Sequence, residues 1–456
     1  MSHLTHGDDG TAAAARRAGL CRRPVLCFPV RVLDPRWLAE RRSEIEESCR
    51  RRGVAADLDA AIAARESASA LSTQLQELNR LRNEHQASGK KKLPEAERAA
   101  HVAKGRRLKE EAAALERGHA EADEALRQLM AGIPNFVHPQ VPEGGEEDFN
   151  ELRRVGEPRK FDFDALDHLS LAERLDLVDF DAGARVTGQK FYYLKNEAVL
   201  LELALQRFAL DLLIAQGFTA YATPDLARQK IVDGLAFSPR GEETQIYSVA
   251  GTDLDLIGTA EITLGGLCAD SILDEAQLPL KLAGISHCFR TEAGSHGRES
   301  RGLYRVHQFT KVEMFAFVRP EDSDALHEHM LEVEEQVFGA LEIPYRVIDV
   351  ASGDLGAPAY RKFDLEAWMP GRGEAGDFGE VTSASNCTDF QARRLRVRFR
   401  RAESKRNELV HTLNGTAVAV PRTLIALLEN HQQADGSVSI PKALRPYTGF
   451  ERIGPR

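Results

Sequence analysis

The chain has 456 residues, 43% hydrophobic and 29% charged, with a formal net charge of −10 and a pI near 5.9. That length holds one large domain and a smaller one. No apolar run approaches the roughly 20 residues of a membrane span, and the acidic balance leaves any nucleic-acid partner to a local basic surface. The six cysteines (Cys21, Cys27, Cys49, Cys268, Cys288, Cys387) form no CxxC pair, so a disulfide framework and a cysteine zinc site are both disfavoured and a reducing compartment is expected.

Residues 1–30 are rich in Ala and Arg, and their apolar run Pro24–Val30 is short and late. No small-residue cleavage site follows, so a secretory signal is disfavoured and an unstructured extension is expected, with an organellar transit peptide as the alternative. Residues 31–135 are almost free of aromatics after Trp37. Leu71, Leu75, Leu78 and Leu81 recur at helical spacing; after Pro94, Leu108, Leu115, Ala122 and Leu129 recur every seven residues, flanked by Ala112 and Leu126. This predicts two long amphipathic helices with coiled-coil spacing, and the short Ser88–Pro94 connection makes them an antiparallel hairpin. From Lys90 to Lys109 eight basic residues face only Glu95 and Glu97, a stripe that suits a phosphate backbone but also a solvated helix face. Residues 136–160, rich in Pro, Gly and Glu, are expected to be a linker. From residue 161 to 456 the texture changes to a mixed α+β domain, in which Leu200–Ala215 predicts a helix leading through Gly217 into a short strand before Pro224.

Three stretches carry chemistry. Leu280–Thr291 and Leu303–Val318 are predicted as a strand pair joined by the charged loop Ala293–Gly302. Strand alternation puts Arg290 with Glu292 on one face, and Arg305, His307, Phe309, Lys311 and Glu313 on one face of the partner. Arginines bind phosphate bidentately and a phenylalanine can stack on a purine, so this surface suits a phosphorylated ligand. Thr259 and Glu261, expected on a common face, suit an ammonium group or a small polar side chain. Glu380, Thr382, Ser383 and Ser385 fall in a strand-like stretch whose hard oxygens suit Mg²⁺ on ATP phosphates. Pro421 suits a helix start, and Arg422 in the first turn opposes the helix dipole, so a ligand-facing role is expected.

These strings resemble the three signature motifs of class II aminoacyl-tRNA synthetases, and specifically of seryl-tRNA synthetases. The helix running to Pro224 resembles motif 1, a dimer-interface element. Phe289–Gly294 with Arg301–Glu313 resembles motif 2 nearly residue for residue, and Asn414–Asn430 resembles motif 3. Ser385–Arg394 is also similar to a string of the seryl enzymes. The resemblance covers about residues 31 to 450 and implies a class II antiparallel sheet flanked by helices, with an N-terminal antiparallel coiled-coil arm that reads tRNA. It implies ATP, L-serine and tRNA(Ser) as partners, tRNA(Sec) where one exists, a homodimer, Mg²⁺ brought with ATP, and a cytoplasmic location (an organelle matrix if residues 1–30 are a transit peptide). Carried over by position, Arg290 meets the α-phosphate and the serine carboxylate with Thr291 beside it. Glu292 meets the adenine amino group, Arg305 the outer phosphates, and Val306 lines the ATP site. Phe309 and Arg422 sandwich the adenine, Glu380 and Ser383 hold Mg²⁺, and Val381 and Thr382 complete that strand. Thr259, Ala260, Glu261, Glu313 and Thr416 form the serine pocket; Arg290 and Arg422 are the catalytic pair. Three positions depart from the common bacterial pattern: Gly258 for Pro, Thr382 for Ser and Pro421 for Gly.

Overall fold

The computed structural model describes residues 33–89, 94–237, 245–293 and 302–455. The 1–30 extension, Lys90–Lys92 and residues 294–301 of the charged loop lie outside the described residues.

A short helix, Arg42–Arg51 (α1), precedes the arm. The arm is Leu58–Ser88 (α2) and Glu95–Ala131 (α3), packed against each other. Asp57 caps α2 by accepting the Ala60 N–H, and Pro94 stands at the N-cap of α3. At 1.5 Å per residue the helices are roughly 46 and 55 Å long. Leu78, Leu108 and Ala112 are buried in the seam with Leu115 beside them. Leu81, expected on the seam, is 39% exposed. A heptad seam steps alternately by four and three residues, so after Leu71, Leu75 and Leu78 the next positions are Arg82 and His85, both half-buried. Further out the seam becomes polar: the His85 and His101 rings stack at 3.8 Å, and Gly105 leaves the room, since a Cβ there would lie 3.2 Å from His85 Nε2. Of the basic stripe, Arg106 and Arg107 pair with Glu110 and Glu111 one turn on, in exposed contacts that contribute little to stability.

The body is built on an eight-stranded sheet. In chain order its strands are Asn150–Val155 (β1), Thr219–Ala222 (β2), Leu280–Phe289 (β3), Gln308–Val318 (β4), Tyr345–Asp349 (β5), Arg361–Met369 (β6), Asp377–Asn386 (β7) and His411–Ala419 (β8). The spatial order is β1-β5-β6-β7-β8-β4-β3-β2, antiparallel throughout except for the parallel pair β2–β3. Five helices matter for the site: Glu197–Ala215 (α4), Ala260–Gly266 (α5), Ser323–Ala340 (α6), Phe390–Leu395 (α7) and Val420–His431 (α8). Helices α4, α6 and α8 bury Leu201, Leu205, Met330, Val337, Leu424 and Leu428 in the main core, with Val312, Met314, Ala316 and Val318 of β4. The alternate residues of β4 turn the other way, and Phe315 and Phe317 join a second core with Ala260 and Leu264 of α5.

The sequence expectation for residues 136–160 needs correction, because this segment is not a free linker. Phe136, Val137 and Val141 are buried, and β1 adds to the sheet edge beside β5. Its side chains are all exposed, so no hydrophobic pattern marks it; Glu151, Arg153 and Arg154 instead guard the edge. Among the described residues no helix is long and apolar enough to cross a membrane.

The root of the arm is fastened to the body by buried polar contacts. Asn135 Nδ2 shares its two hydrogens among three acceptors, Pro358 O (2.8 Å), Cys387 O (2.9 Å) and Thr388 Oγ1 (3.0 Å), and the residue has no exposed surface. Asn135→Ala leaves these acceptors unsatisfied and is expected to lower stability by about 2 kcal/mol. A urea-unfolding midpoint equal to the parent's would show that the root does not depend on this side chain.

Candidate active site

An open cleft lies on the sheet face opposite the main core. Strand β4 supplies Phe309, Lys311 and Glu313, the same alternating row that continues into Phe315 and Phe317. Two bulges set the other walls. On β7, Leu365 pairs with Thr382 but Glu366 with Glu380, so Val381 is an extra residue. On β8, Thr416 pairs with Glu313 but Val418 with Val312, so Ala417 is extra. A bulge shifts the alternation by one residue. Glu380 with Ser383, and Thr416 with Ala419, can therefore line one cleft at a spacing that regular strands forbid.

The expected strand pair is shorter than its sequence pattern. β3 stops at Phe289 and β4 begins at Gln308. Arg290, Glu292, Arg305 and His307 thus sit on the connecting backbone, where Glu292 has φ +50°. The backbone of Arg290 and the ring of His307 still close the hairpin: the Arg290 N–H donates to His307 O (2.9 Å) and His307 Nδ1 lies 2.8 Å from Arg290 O. Arg290, Glu292, Arg305, Val306 and Phe309 all line the cleft. The Arg290 guanidinium lies over the rings of Phe309 (5.3 Å) and Phe237 (5.8 Å), and Arg305 reaches Glu292 at 3.4 Å. Thr291 is outside the lining; its N–H donates to Gln245 O.

Thr259 and Glu261 are not on a strand. Thr259 is the N-cap of α5, accepting the Glu261 N–H at 3.1 Å, and Glu261 stands in the first turn. Both still enter the cleft, because the helix start faces it. Ala260 does not line it; its methyl packs in the second core. Gly258 contributes by absence: a Cβ there would lie 2.3 Å from the Phe237 ring, which fills that space at the cleft wall.

The closed end holds two carboxylates. Glu313, 2% exposed, accepts from Lys311 Nζ (2.5 Å) and Thr416 Oγ1 (3.2 Å). Burial pushes its carboxyl above the ordinary range, with Lys311 opposing. Glu261 accepts from Gln391 Nε2 (2.6 Å) and Asn414 Nδ2 (3.0 Å). Burial, reinforced by the Glu313 charge, raises it to about 7. At the other end, Arg422 contacts Glu380 (3.3 Å to Oε2) and lies over the Tyr304 ring at 4.5 Å. Although the surrounding protein desolvates Glu380, the cations Arg422, Lys362 and Arg290 outweigh that effect and hold it down to about 2. Ser383, on the same face, pairs across the sheet with Asp364, whose buried Oδ1 has no hydrogen-bond partner among the described residues. An ionised carboxylate, a hydroxyl and a spare carboxylate oxygen nearby are hard oxygen donors that fit Mg²⁺.

Pro421 and Arg422 occupy the first turn of α8, as expected, and both line the cleft. Val381 and Thr382 line it as well, but the Thr382 hydroxyl is turned behind the sheet to Glu334 (2.9 Å). Asn414, Tyr304, Phe237 and Lys311 also line the cleft, although the sequence expectation assigned them no role. Lys311 and Asn414 could have been found, because each stands two residues before a predicted pocket residue on the same strand. Phe237 comes from a separate helix end and has no such signal.

Known proteins resemble the chain along most of its length. Residues 32–137 match the seryl-tRNA synthetase N-terminal domain, and residues 247–431 match the tRNA synthetase class II core domain (G, H, P, S and T). A serine–tRNA ligase from Rubrobacter xylanophilus is 54% identical over 93% of this chain and 99% of its own length. Among solved structures, seryl-tRNA synthetase from Pyrococcus horikoshii complexed with ATP has a TM-score of 0.81 and 38% identity over 93% of this chain and all of that one. Cytoplasmic serine–tRNA ligase from Naegleria fowleri in complex with AMP has a TM-score of 0.77 and 31% identity over 93% of this chain and 99% of that one.

Glu334 of α6 has no exposed surface, and its Oε1 has no hydrogen-bond partner among the described residues. A Cβ at residue 415 would stand 3.1 Å from that oxygen, so Gly415 makes its space. Burial pushes its carboxyl well above the ordinary value of 4.5, and Thr382 only partly opposes. A raised folded-state pKa gives stability that is complete below the unfolded value and lost as pH rises through the folded value. Glu334→Gln is therefore expected to raise the urea midpoint relative to the parent at pH 8, with the gap closing toward pH 4.5. A gap independent of pH would mean that Glu334 is ionised in the fold.

Proposed function

We propose that this site makes seryl-adenylate, on the premise that the chain belongs to the seryl-tRNA synthetases and is a serine–tRNA ligase. The observation that carries the residue roles is one cleft holding Arg290 and Arg422 beside the Glu313–Thr416 and Glu261 carboxylate floor. Arg290 binds the α-phosphate and the serine carboxylate, and Arg305 the outer phosphates. Glu292 accepts from the adenine amino group, while Phe309 and Arg422 hold the ring between them. Thr259, Glu261, Glu313 and Thr416 take the serine ammonium and hydroxyl. The serine carboxylate oxygen attacks the α-phosphorus and the bond to pyrophosphate breaks. A hydroxyl of the terminal tRNA ribose then attacks the seryl carbonyl and releases AMP. No covalent enzyme intermediate is required, so the protein supplies position and charge. When bound with ATP, Mg²⁺ supplies charge neutralisation on the phosphates; Glu380 and Ser383 are the residues that hold it.

The arm, α2 and α3, is the tRNA reader, with tRNA(Ser) as acceptor; a tRNA(Sec), where present, is a second acceptor on the family resemblance alone. A second copy of the chain covers α4, where Val199, Leu200, Leu203 and Ile214 are exposed on a helix of the motif 1 type. Similarity to full-length bacterial relatives supports a cytoplasmic location.

ATP–pyrophosphate exchange is expected with serine and not with the other amino acids. Arg290→Ala is expected to reduce it by about 10²-fold or more, the usual loss for a residue that stabilises developing charge. Exchange driven by another amino acid would refute the substrate, and near-parental exchange in the variant would refute the phosphate role.

Glu261 titrates near 7 and must be ionised to hold an ammonium. The KM for serine is therefore expected to rise about tenfold from pH 8 to pH 6, while the KM for ATP stays nearly level. A flat serine profile would remove Glu261 from ammonium recognition.

A further inference from the structure

We propose that Gln391 is a positioning residue for serine recognition, holding the Glu261 carboxylate in the orientation that meets the substrate ammonium; this rests on serine being the substrate. Gln391 belongs to α7 and is outside the cleft lining, with no exposed surface. Its amide is locked at every polar atom. Nε2 donates one hydrogen to Glu261 Oε1 (2.6 Å) and the other to Leu235 O (3.2 Å). Oε1 accepts from Thr412 Oγ1 (2.7 Å), itself fully buried. A carbonyl and a carboxylate can only accept, so the amide cannot flip without setting its own oxygen against both.

Two consequences follow for Glu261. Gln391 and Asn414 both donate to Oε1, which leaves Oε2 as the oxygen available to a ligand. Both donors are also uncharged. Glu313, by contrast, is paired with the Lys311 ammonium at 2.5 Å. Lys311 is thus the cation in direct contact with a floor carboxylate, the Arg290 charge acts on both from the cleft wall, and Glu261 keeps no cation hydrogen-bonded to it, which leaves it for one substrate ammonium. A lysine at 391 could donate to Glu261, but it would cancel the carboxylate charge and could not accept from Thr412. A glutamine orients it and leaves its charge for the ligand.

The test uses the full-length enzyme and serine-dependent exchange. Gln391→Leu is expected to raise the KM for serine about tenfold, the size of one charge-assisted hydrogen bond, with the KM for ATP within about twofold. Thr412→Val, which frees the Gln391 oxygen without touching Glu261, is expected to raise it about threefold in the same selective way. A serine KM unchanged in both variants overturns the proposal. So do equal rises in both KM values, which mark a general loss of structure. A parent enzyme without serine-dependent exchange overturns the substrate assignment and this role with it, whereas an active parent matched by its variants overturns this role alone.

Discussion

Burying two carboxylates at one end of a cleft is costly, since each loses its hydration and each repels the other. Much of the surrounding structure serves to keep Glu261 and Glu313 where they are. Glu313 stands on a central strand and is held from its own strand by Lys311 and from the next by Thr416. Glu261 stands at the start of a short helix, where the exposed backbone N–H groups favour negative charge, and is held by two neutral amides. One carboxylate is compensated and the other only oriented. That asymmetry leaves Glu261 without a paired cation, which suits the ammonium of the proposed substrate.

The sheet meets this demand without giving up its core. From Val312 to Val318 the β4 residues facing α6 and α4 are apolar, while the opposite row changes from Phe309, Lys311 and Glu313 to Phe315 and Phe317. A single strand thus serves the cleft, the second core and the main core through its period of two. The neighbours β7 and β8 cannot do the same at every position, because Glu380 and Ser383 are three residues apart. The extra residues Val381 and Ala417 reset the alternation, and Glu334 accepts the Thr382 hydroxyl that the reset turns inward. The bulges are therefore part of the site.

What could be read from the sequence followed the same logic. The motif 2 and motif 3 strings gave most of the cleft, because strand alternation already groups Phe309 with Glu313, and a Pro421 start already aims Arg422. The arm was legible from its heptads. Leu81 misled because leucine spacing alone does not say where a four-residue step replaces a three-residue one. β1 was invisible because an exposed edge strand is held by backbone pairing that leaves no pattern in side-chain type. Thr259 and Glu261 reach one cleft from a helix start, where i and i+2 can meet it as they can from a strand. Gln391 was visible only as a letter in a familiar string, because its partners come from Leu235, Glu261 and Thr412, far apart in the chain.

Under the proposed roles the same floor also sets selectivity. Thr416 and Glu313 present a buried hydroxyl and carboxylate, and in the proposed role they meet the end of the serine side chain. Alanine fits the space but leaves those groups without the partner they were desolvated to meet. A site built to hydrogen-bond a hydroxyl rejects its analogue far more strongly than an apolar pocket rejects a missing methylene, by about 10⁴-fold or more. Discrimination of that size needs no second hydrolytic site. It needs instead that the floor not relax when the hydroxyl is missing, and a floor pinned by Lys311, Asn414 and a locked glutamine from three separate elements has little freedom to do so.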